Sequence, residues 1–266
     1  MGKGIFILFI AILCLIITSV LFVSYLKLNK DNKDESGIRV INEETILLNN
    51  SVVKDRGFTF FDDFSSYETE RCYQDTESFG SWNVAYTGYG CVKIENSSDG
   101  NKFLHESPNI SAAKKDTYAS LILGPMFDSS SFAKIFNYSV RISTEQQLRK
   151  FDSPNPWESA WIIWHYSDDK HFYYFALKNN GIELGKEDPN YEGNQRYIFT
   201  GVSPKLELGK WYNVTIIQDN LNSIKIYIDN DLWISTRDNE RPYTRGRIGL
   251  YNEDAHVHFD DVKIIN

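Results

Sequence analysis

The stretch PWESAWIIWHYSDDKHFYYFALKNNGIELGKED, residues 156–188, decides the fold class. Runs rich in aromatic and β-branched residues flank the turn sequences SDDK and KNNG, which are typical of hairpins. Successive side chains of a strand point to opposite faces, and here both faces carry aromatic rings. The stretch therefore predicts consecutive antiparallel strands whose second face is also apolar.

Similar runs recur as far as the C-terminus, and no long segment shows helical apolar periodicity. From Phe58 onward the chain has about 209 residues, which suits one all-β domain better than two domains. So many antiparallel strands around one core imply two packed sheets.

The first residues are apolar, with no charged side chain from Ile5 to Leu26. Because about twenty apolar residues cross a bilayer, residues 1–27 are predicted to form an N-terminal transmembrane helix, the alternative being a signal peptide. Residues 28–57 are polar and predict a stalk, and residues 58–266 form the folded domain. We expect that domain outside the cell at the membrane, or secreted.

Three cysteines are present, and Cys72 and Cys91 are the two that lie in the folded part. They predict one disulfide, in agreement with an oxidising external compartment, the alternative being two buried thiols. The formal net charge of −8 without a basic stripe argues against nucleic-acid partners. Cations such as calcium, and neutral polymers, remain as ligand classes.

Alternation divides the side chains of the predicted strands between a core face and an opposite face. Rings on the opposite face would offer flat apolar surfaces to a sugar, and charged groups would orient its hydroxyls. The alternative is that these rings pack beneath loops. The predicted carbohydrate-binding residues are Arg141, Trp161, His165, Tyr174, Lys178 and Glu183.

The strings FFDDFSS, GSWNV, WIIWHYSDDKHFYYFALKNNGIEL, LGKWYNVTIIQDNLNSIKIYIDNDL and GRIGLYNEDAHVHFDDVKII span most of residues 58–266. Their order resembles the concanavalin A-like lectin/glucanase superfamily, including laminin-G-like and 3-keto-disaccharide-hydrolase-like domains. The resemblance implies an all-β jelly-roll sandwich of two curved antiparallel sheets whose concave face holds carbohydrate.

Catalysis is less well supported by the residues. The E-x-D-x-x-E motif of family-16-type glucanases of this superfamily does not occur, and Glu183 and Glu187, four apart on a strand, lie too far apart for a carboxylate pair. The catalytic candidates are Glu183 and His165.

The resemblance also implies a structural calcium where the first and last strands meet. Asp63 in FDDF and Asp261 in FDDV are the residues that match. His256 and His258 share a strand face and would suit a transition metal, but the sequence shows no third ligand, so zinc is not predicted.

Together these observations predict a membrane-anchored extracellular protein that binds a polysaccharide or glycan without catalysis, with a structural calcium. Two alternatives stay open. One is a glycoside hydrolase or polysaccharide lyase of the same fold, and the other is a laminin-G-like adhesion module that binds a protein partner.

Overall fold

Alternating apolar and polar residues, bounded by turn residues, form strands along most of the computed structural model. It describes residues 47–48, 51–52, 59–110, 117–129, 135–150 and 152–265. The chain consists of two units, of which the first ends at residue 55 and the second begins at residue 56. In the first unit, β1 (Leu47–Leu48) pairs antiparallel with β2 (Ser51–Val52). The predicted anchor, residues 1–27, and most of the predicted stalk, 28–57, lie outside the described residues. No helix in the described part is long and apolar enough to span a membrane.

The second unit contains all the other strands. In chain order they are β3 (Thr59–Asp62), β4 (Ser78–Phe79), β5 (Trp82–Tyr86), β6 (Cys91–Asn96), β7 (Lys102–Ser107), β8 (Ala119–Asp128), β9 (Phe136–Gln147), β10 (Ala160–Asp168), β11 (His171–Lys178), β12 (Gly181–Glu187), β13 (Gln195–Gly201), β14 (Tyr212–Gln218), β15 (Ser223–Ile228), β16 (Asp231–Arg237), β17 (Arg245–Glu253) and β18 (Ala255–Ile265). A short 3-10 turn, Glu192–Asn194, precedes β13.

Two sheets contain these strands. The first sheet has the order β13-β12-β11-β10-β17-β8-β5-β4, and the second has the order β16-β15-β14-β9-β18-β7-β6, with β3 paired to β18. Neighbouring strands in both sheets are antiparallel. The predicted all-β sandwich of two antiparallel sheets is confirmed.

One face of each sheet forms a common apolar core, as the alternation predicted. Ile162 and Trp164 of β10 and Phe175 of β11 lie in it, together with Tyr138 and Val140 of β9. The indole Nε1 of Trp164 donates to Gln218 Oε1 at 2.8 Å, so its polar atom is satisfied inside the core.

The cysteine pair forms a disulfide, which confirms that prediction. Cys72 and Cys91 have Cα atoms 5.4 Å apart and lie 19 residues apart in sequence. The bond ties the loop after β3 to the start of β6, beside a backbone bridge between Tyr73 and Val92. Closing a loop of this length contributes about 3 kcal/mol to stability.

A fully buried lysine links the two sheets. Lys186 of β12 lies 2.8 Å from the carboxylate of Asp238, which follows β16, and both side chains are 0% exposed. Tyr173 donates to the same carboxylate at 2.6 Å, and Arg196 lies 2.5 Å from its other oxygen. The Lys186 ammonium also reaches the carbonyl of Glu240. These contacts compensate a charge that would otherwise be costly to bury.

Glu106 of β7 is a second buried ionisable group, and it faces the core. Asn252 Nδ2 donates to its Oε2 at 2.8 Å. Burial raises the pKa of Glu106 from 4.5 to about 8. The folded protein therefore holds a proton here that the unfolded chain releases above pH 4.5.

We predict that this proton makes the free energy of unfolding fall as pH rises from about 4.5 to about 8, because the native state binds more protons over that range. Glu106→Gln keeps the side-chain shape and removes the titration, so it should be about 1–3 kcal/mol more stable than the wild type at pH 8. Denaturant unfolding of the full chain at pH 5.5 and pH 8 measures this. Exposed Glu192→Gln is the control, and an identical pH dependence in wild type and Glu106→Gln would contradict the prediction.

Candidate functional site

The outer face of the first sheet carries a second apolar layer, on the side away from the sandwich core. We call it the outer aromatic face. It comes from alternate residues of β8, β10 and β11, flanked by partly buried rings from neighbouring strands. Its buried members are Leu121, Leu123, Trp161, Ile163, Tyr174 and Ala176, and the flanking residues are Ala85, Tyr86, Tyr166, Phe172 and Tyr251.

Ring packing within the face explains why large side chains there are hidden from solvent. Trp161 stacks on Tyr174 with centroids 4.8 Å apart, and Tyr251 meets Trp161 edge-on at 5.3 Å. Tyr174 is 0% exposed and Trp161 is 6% exposed. A Cβ at Gly185 would lie 2.3 Å from the Tyr174 hydroxyl, so the missing side chain makes room for that ring.

At one end of the outer aromatic face lies a cavity of about 260 Å³, which we call the outer cavity. It is lined by Trp157, Trp161, Lys178, Glu183, Gln195, Tyr197 and Glu253. Trp157 and Tyr197 are 40% and 59% exposed, so the accessible rings come from the segment before β10 and from the edge strand β13.

A hydrogen-bond network forms the polar part of this cavity. Tyr174 donates to Glu183 Oε1 at 3.0 Å and accepts from Gln195 Nε2 at 2.7 Å. The Lys178 ammonium pairs with the second oxygen of Glu183. Tyr197 donates to Gln195 Oε1 at 2.8 Å, which connects an exposed ring to the buried one. The positive and negative charges compensate each other, so the network presents dipoles rather than a net charge.

Two further carboxyl groups belong to this face. Tyr251 donates to Glu253 Oε1 at 2.6 Å, and burial raises the pKa of Glu253. Burial, and then the charge of Glu253, raise the pKa of Glu187 to about 7. Near neutral pH Glu187 can therefore hold a proton and donate a hydrogen bond to a hydroxyl or carbonyl oxygen.

Three of the six predicted carbohydrate-binding residues line the outer cavity: Trp161, Lys178 and Glu183. A fourth, Tyr174, is buried and hydrogen-bonds to Glu183. The sequence analysis missed Trp157, Gln195, Tyr197 and Glu253. Trp157 lies within the stretch 156–188, three residues before β10, and its position next to this aromatic run is the signal that the sequence offers. Gln195 and Tyr197 reach the site through the pairing of β12 with β13, for which the sequence gives no marker.

His165 does not lie on the outer aromatic face, and this corrects its prediction as a binding and catalytic residue. A β-bulge shifts the register of β10 between Trp164 and Asp168, and His165 adopts a φ of 53° there. Its ring turns inward and lies 4.9 Å from Phe136. Burial lowers the pKa of His165 to about 3, so the ring is a neutral core group.

Arg141 also lies away from the outer cavity, because β9 belongs to the second sheet. Its guanidinium pairs with Asp260 at 3.3 Å and Asp261 at 3.2 Å, and it lies over the ring of Trp211. The predicted carbohydrate-binding face therefore combined Arg141 of the second sheet with residues of the first sheet.

The proposed calcium ligands lie where β3 and β18 pair, at the register Val262 to Asp62. Asp63 accepts the backbone amide of Ser65 at 3.0 Å, and Asp261 pairs with Arg141 at 3.2 Å. Calcium binding by Asp63 and Asp261 stays a prediction.

No protein-family model matches the chain, and no curated protein matches its sequence. Solved structures with a similar fold include the carbohydrate binding module CBM66 of Bacillus subtilis, at 18% identity and a TM-score of 0.48, over 69% of this chain and 94% of that one. The described part of this chain is an all-β sandwich of two antiparallel sheets.

Two other solved structures also show similarity to this chain. The β-glucanase of Bacillus licheniformis matches at 12% identity and a TM-score of 0.49, over 79% of this chain and 99% of that one. The receptor binding domain of botulinum neurotoxin D matches at 15% identity and a TM-score of 0.41, over 65% of this chain and 42% of that one. The chain therefore spans less than half of the toxin domain.

We predict that Gly185→Ala displaces the ring of Tyr174 and costs about 1–3 kcal/mol of stability, because the new methyl group overlaps a ring that Trp161 holds in place. Tyr174→Leu removes the overlapping atoms. The double variant should therefore lose less than the sum of the two single losses in denaturant unfolding of the full chain. If the losses in the free energy of unfolding are strictly additive, Gly185 does not provide the space that the Tyr174 ring occupies.

Proposed function

We propose that this chain is a membrane-anchored, extracellular protein that binds a glycan at the outer cavity without catalysis. The observation that carries the proposal is the pair of exposed rings, Trp157 and Tyr197, beside a charge-compensated hydrogen-bonding network. A structural calcium held by Asp63 and Asp261 is part of the proposal.

The rings supply the apolar half of sugar recognition. A sugar ring has a C–H face that packs well on a flat aromatic surface. Trp157 and Tyr197 leave such surfaces open, whereas Trp161 and Tyr174 are buried and serve as their support. The indole Nε1 of Trp161 donates to the carbonyl of Trp157 at 2.8 Å, which fixes the backbone that carries the exposed indole.

The polar groups supply the other half. Lys178, Glu183 and Gln195 offer donors and acceptors at fixed positions, held by Tyr174 and by one another. The Lys178 ammonium and the Glu183 carboxylate neutralise each other, and Glu253 adds a carboxyl group to the lining, so the cavity suits a neutral ligand with many hydroxyl groups better than an anion. A neutral polysaccharide has this chemistry.

The location is inferred from the sequence and the disulfide. Residues 1–27 would anchor the chain, residues 28–57 would serve as a stalk, and the Cys72–Cys91 bond agrees with an oxidising compartment. A glycan on a cell surface or in the surrounding matrix would then be within reach. Secretion after cleavage of the first segment is the alternative.

An enzyme of the same fold is the second candidate, and one observation favours it. Glu187 has a pKa of about 7 on the same face as Glu183, and a general acid needs a pKa near the working pH. The reaction would be hydrolysis of a glycosidic bond or cleavage of a polysaccharide by a lyase, with Glu183 as the candidate tested first. An adhesion module that binds a protein is the third candidate.

The testing experiment is a glycan-panel binding assay on the full chain in detergent, run with calcium and with a chelator. We expect selective binding of neutral glycans without products, and at least a tenfold loss of affinity in Trp157→Ala and in Tyr197→Ala, which corresponds to about 1.4 kcal/mol each. Trp233→Ala is the matched control, because Trp233 is 38% exposed on β16 of the other sheet.

Each other outcome points elsewhere. Full affinity in both the Trp157→Ala and Tyr197→Ala variants would overturn the outer cavity as the site. Cleavage products that disappear in Glu183→Gln or Glu187→Gln would establish the enzyme. If no glycan of the panel binds, a protein partner would be favoured. Loss of binding or of thermal stability with chelator, reproduced by Asp63→Asn and Asp261→Asn, would support the calcium.

A further inference from the structure

The outer face of the second sheet brings together a carboxylate and histidines from three adjacent strands. In register, His105 of β7 lies between Lys93 of β6 and His258 of β18, and Glu95 follows Lys93 on the same face. The residues that alternate with them, such as Ile94 and Leu104, point into the core. Three strands of one sheet therefore hold these polar side chains on a rigid surface.

The distances within this cluster suit a metal ion. One ligand atom each from Glu95, His105 and His258 lie within 4.8 Å of one another. Glu95 Oε1 is 3.0 Å from His105 Nδ1, and the two imidazoles meet edge-to-face with centroids 4.8 Å apart. Ligands of a tetrahedral zinc ion at about 2.1 Å lie about 3.4 Å from each other, so small side-chain rotations would complete the geometry.

The ring nitrogens of this cluster lie beside carboxylates: His258 Nδ1 is 3.3 Å from Glu145 Oε1, as His105 Nδ1 is near Glu95. Both ring nitrogens of His105 are buried, and neither makes a well-aligned hydrogen bond with a described residue. Phe103 packs against His258 with ring centroids 4.3 Å apart. Trp211 stacks on the same imidazole with ring centroids 6.0 Å apart.

Lys93 is a cation beside the cluster, and it has an alternative partner. Its ammonium lies 2.5 Å from Glu95 Oε1 and 3.6 Å from Glu70. A shift toward Glu70 would free the Glu95 carboxylate for a metal ion without leaving Lys93 unpaired.

We propose that Glu95, His105 and His258 bind a divalent transition-metal ion of the zinc type, with a further position open to water. Imidazole and carboxylate ligands suit zinc, and three protein ligands with one open position are typical of exchangeable or reactive zinc sites. A groove of about 580 Å³ begins beside His105 and also contacts His256, so ion and water have a route from solvent. The sequence showed His258 beside His256, and the structure supplies the two other ligands, Glu95 and His105.

The experiment measures Zn²⁺ and Co²⁺ binding by the full chain after removal of metal with a chelator. A Cys14→Ser background removes the third cysteine of the sequence as a ligand. We expect one equivalent of Zn²⁺, a visible Co²⁺ absorption band, and a 10- to 100-fold loss of affinity in His105→Gln, His258→Gln and Glu95→Gln. Excess Ca²⁺ should not displace the Co²⁺ signal, because calcium prefers oxygen ligands.

The control is His171→Gln, since His171 is a 40% exposed histidine on the first sheet and should leave binding unchanged. Circular dichroism of each metal-free variant checks that the fold is intact. The proposal is overturned if the chain takes up no stoichiometric Zn²⁺, if a His105→Gln/His258→Gln double variant binds as tightly as its parent, or if Ca²⁺ displaces Co²⁺.

Discussion

The antiparallel register of β10, β11 and β12 is the constraint on which the other features depend. Trp161 lies opposite Ala176, and Ala176 lies opposite Glu183, so one row of the outer face runs from an indole to a carboxylate. The intervening residues, such as Ile162 and Phe175, all point into the sandwich. A slip of one residue would exchange the two faces and place Glu183 and Lys178 in the core. The register thus sets the core and the candidate glycan site in one step.

Much of the fold was predictable because a two-residue period states which side chains share a face. That rule correctly predicted the core residues of β9, β10 and β11. It also predicted that Trp161, Tyr174 and Glu183 share the opposite face. It failed at His165, because a bulge reverses the direction of a side chain without a mark in the sequence. It failed at Arg141 because alternation does not say which strands are neighbours, and β9 lies in the other sheet.

The two candidate sites lie on the outer faces of opposite sheets, and they differ in what the sequence reveals of them. Most residues that line the outer cavity lie on consecutive strands, so the alternation of side chains along one stretch of sequence predicts several of them. The cluster of Glu95, His105 and His258 joins strands from both ends of the domain through the pairing of β7 with β18. Such a site depends on topology, and composition alone does not show it.

The buried contact between Lys186 and Asp238 has a consequence for how the sandwich meets other molecules. It lies where β13 and β16, the edge strands of the two sheets, contact each other. Separating these edges would leave an ammonium and a carboxylate without partners in an apolar interior, which is costly. The ion pair therefore opposes opening of the sandwich at this end, so a partner molecule meets the two edge strands held against each other.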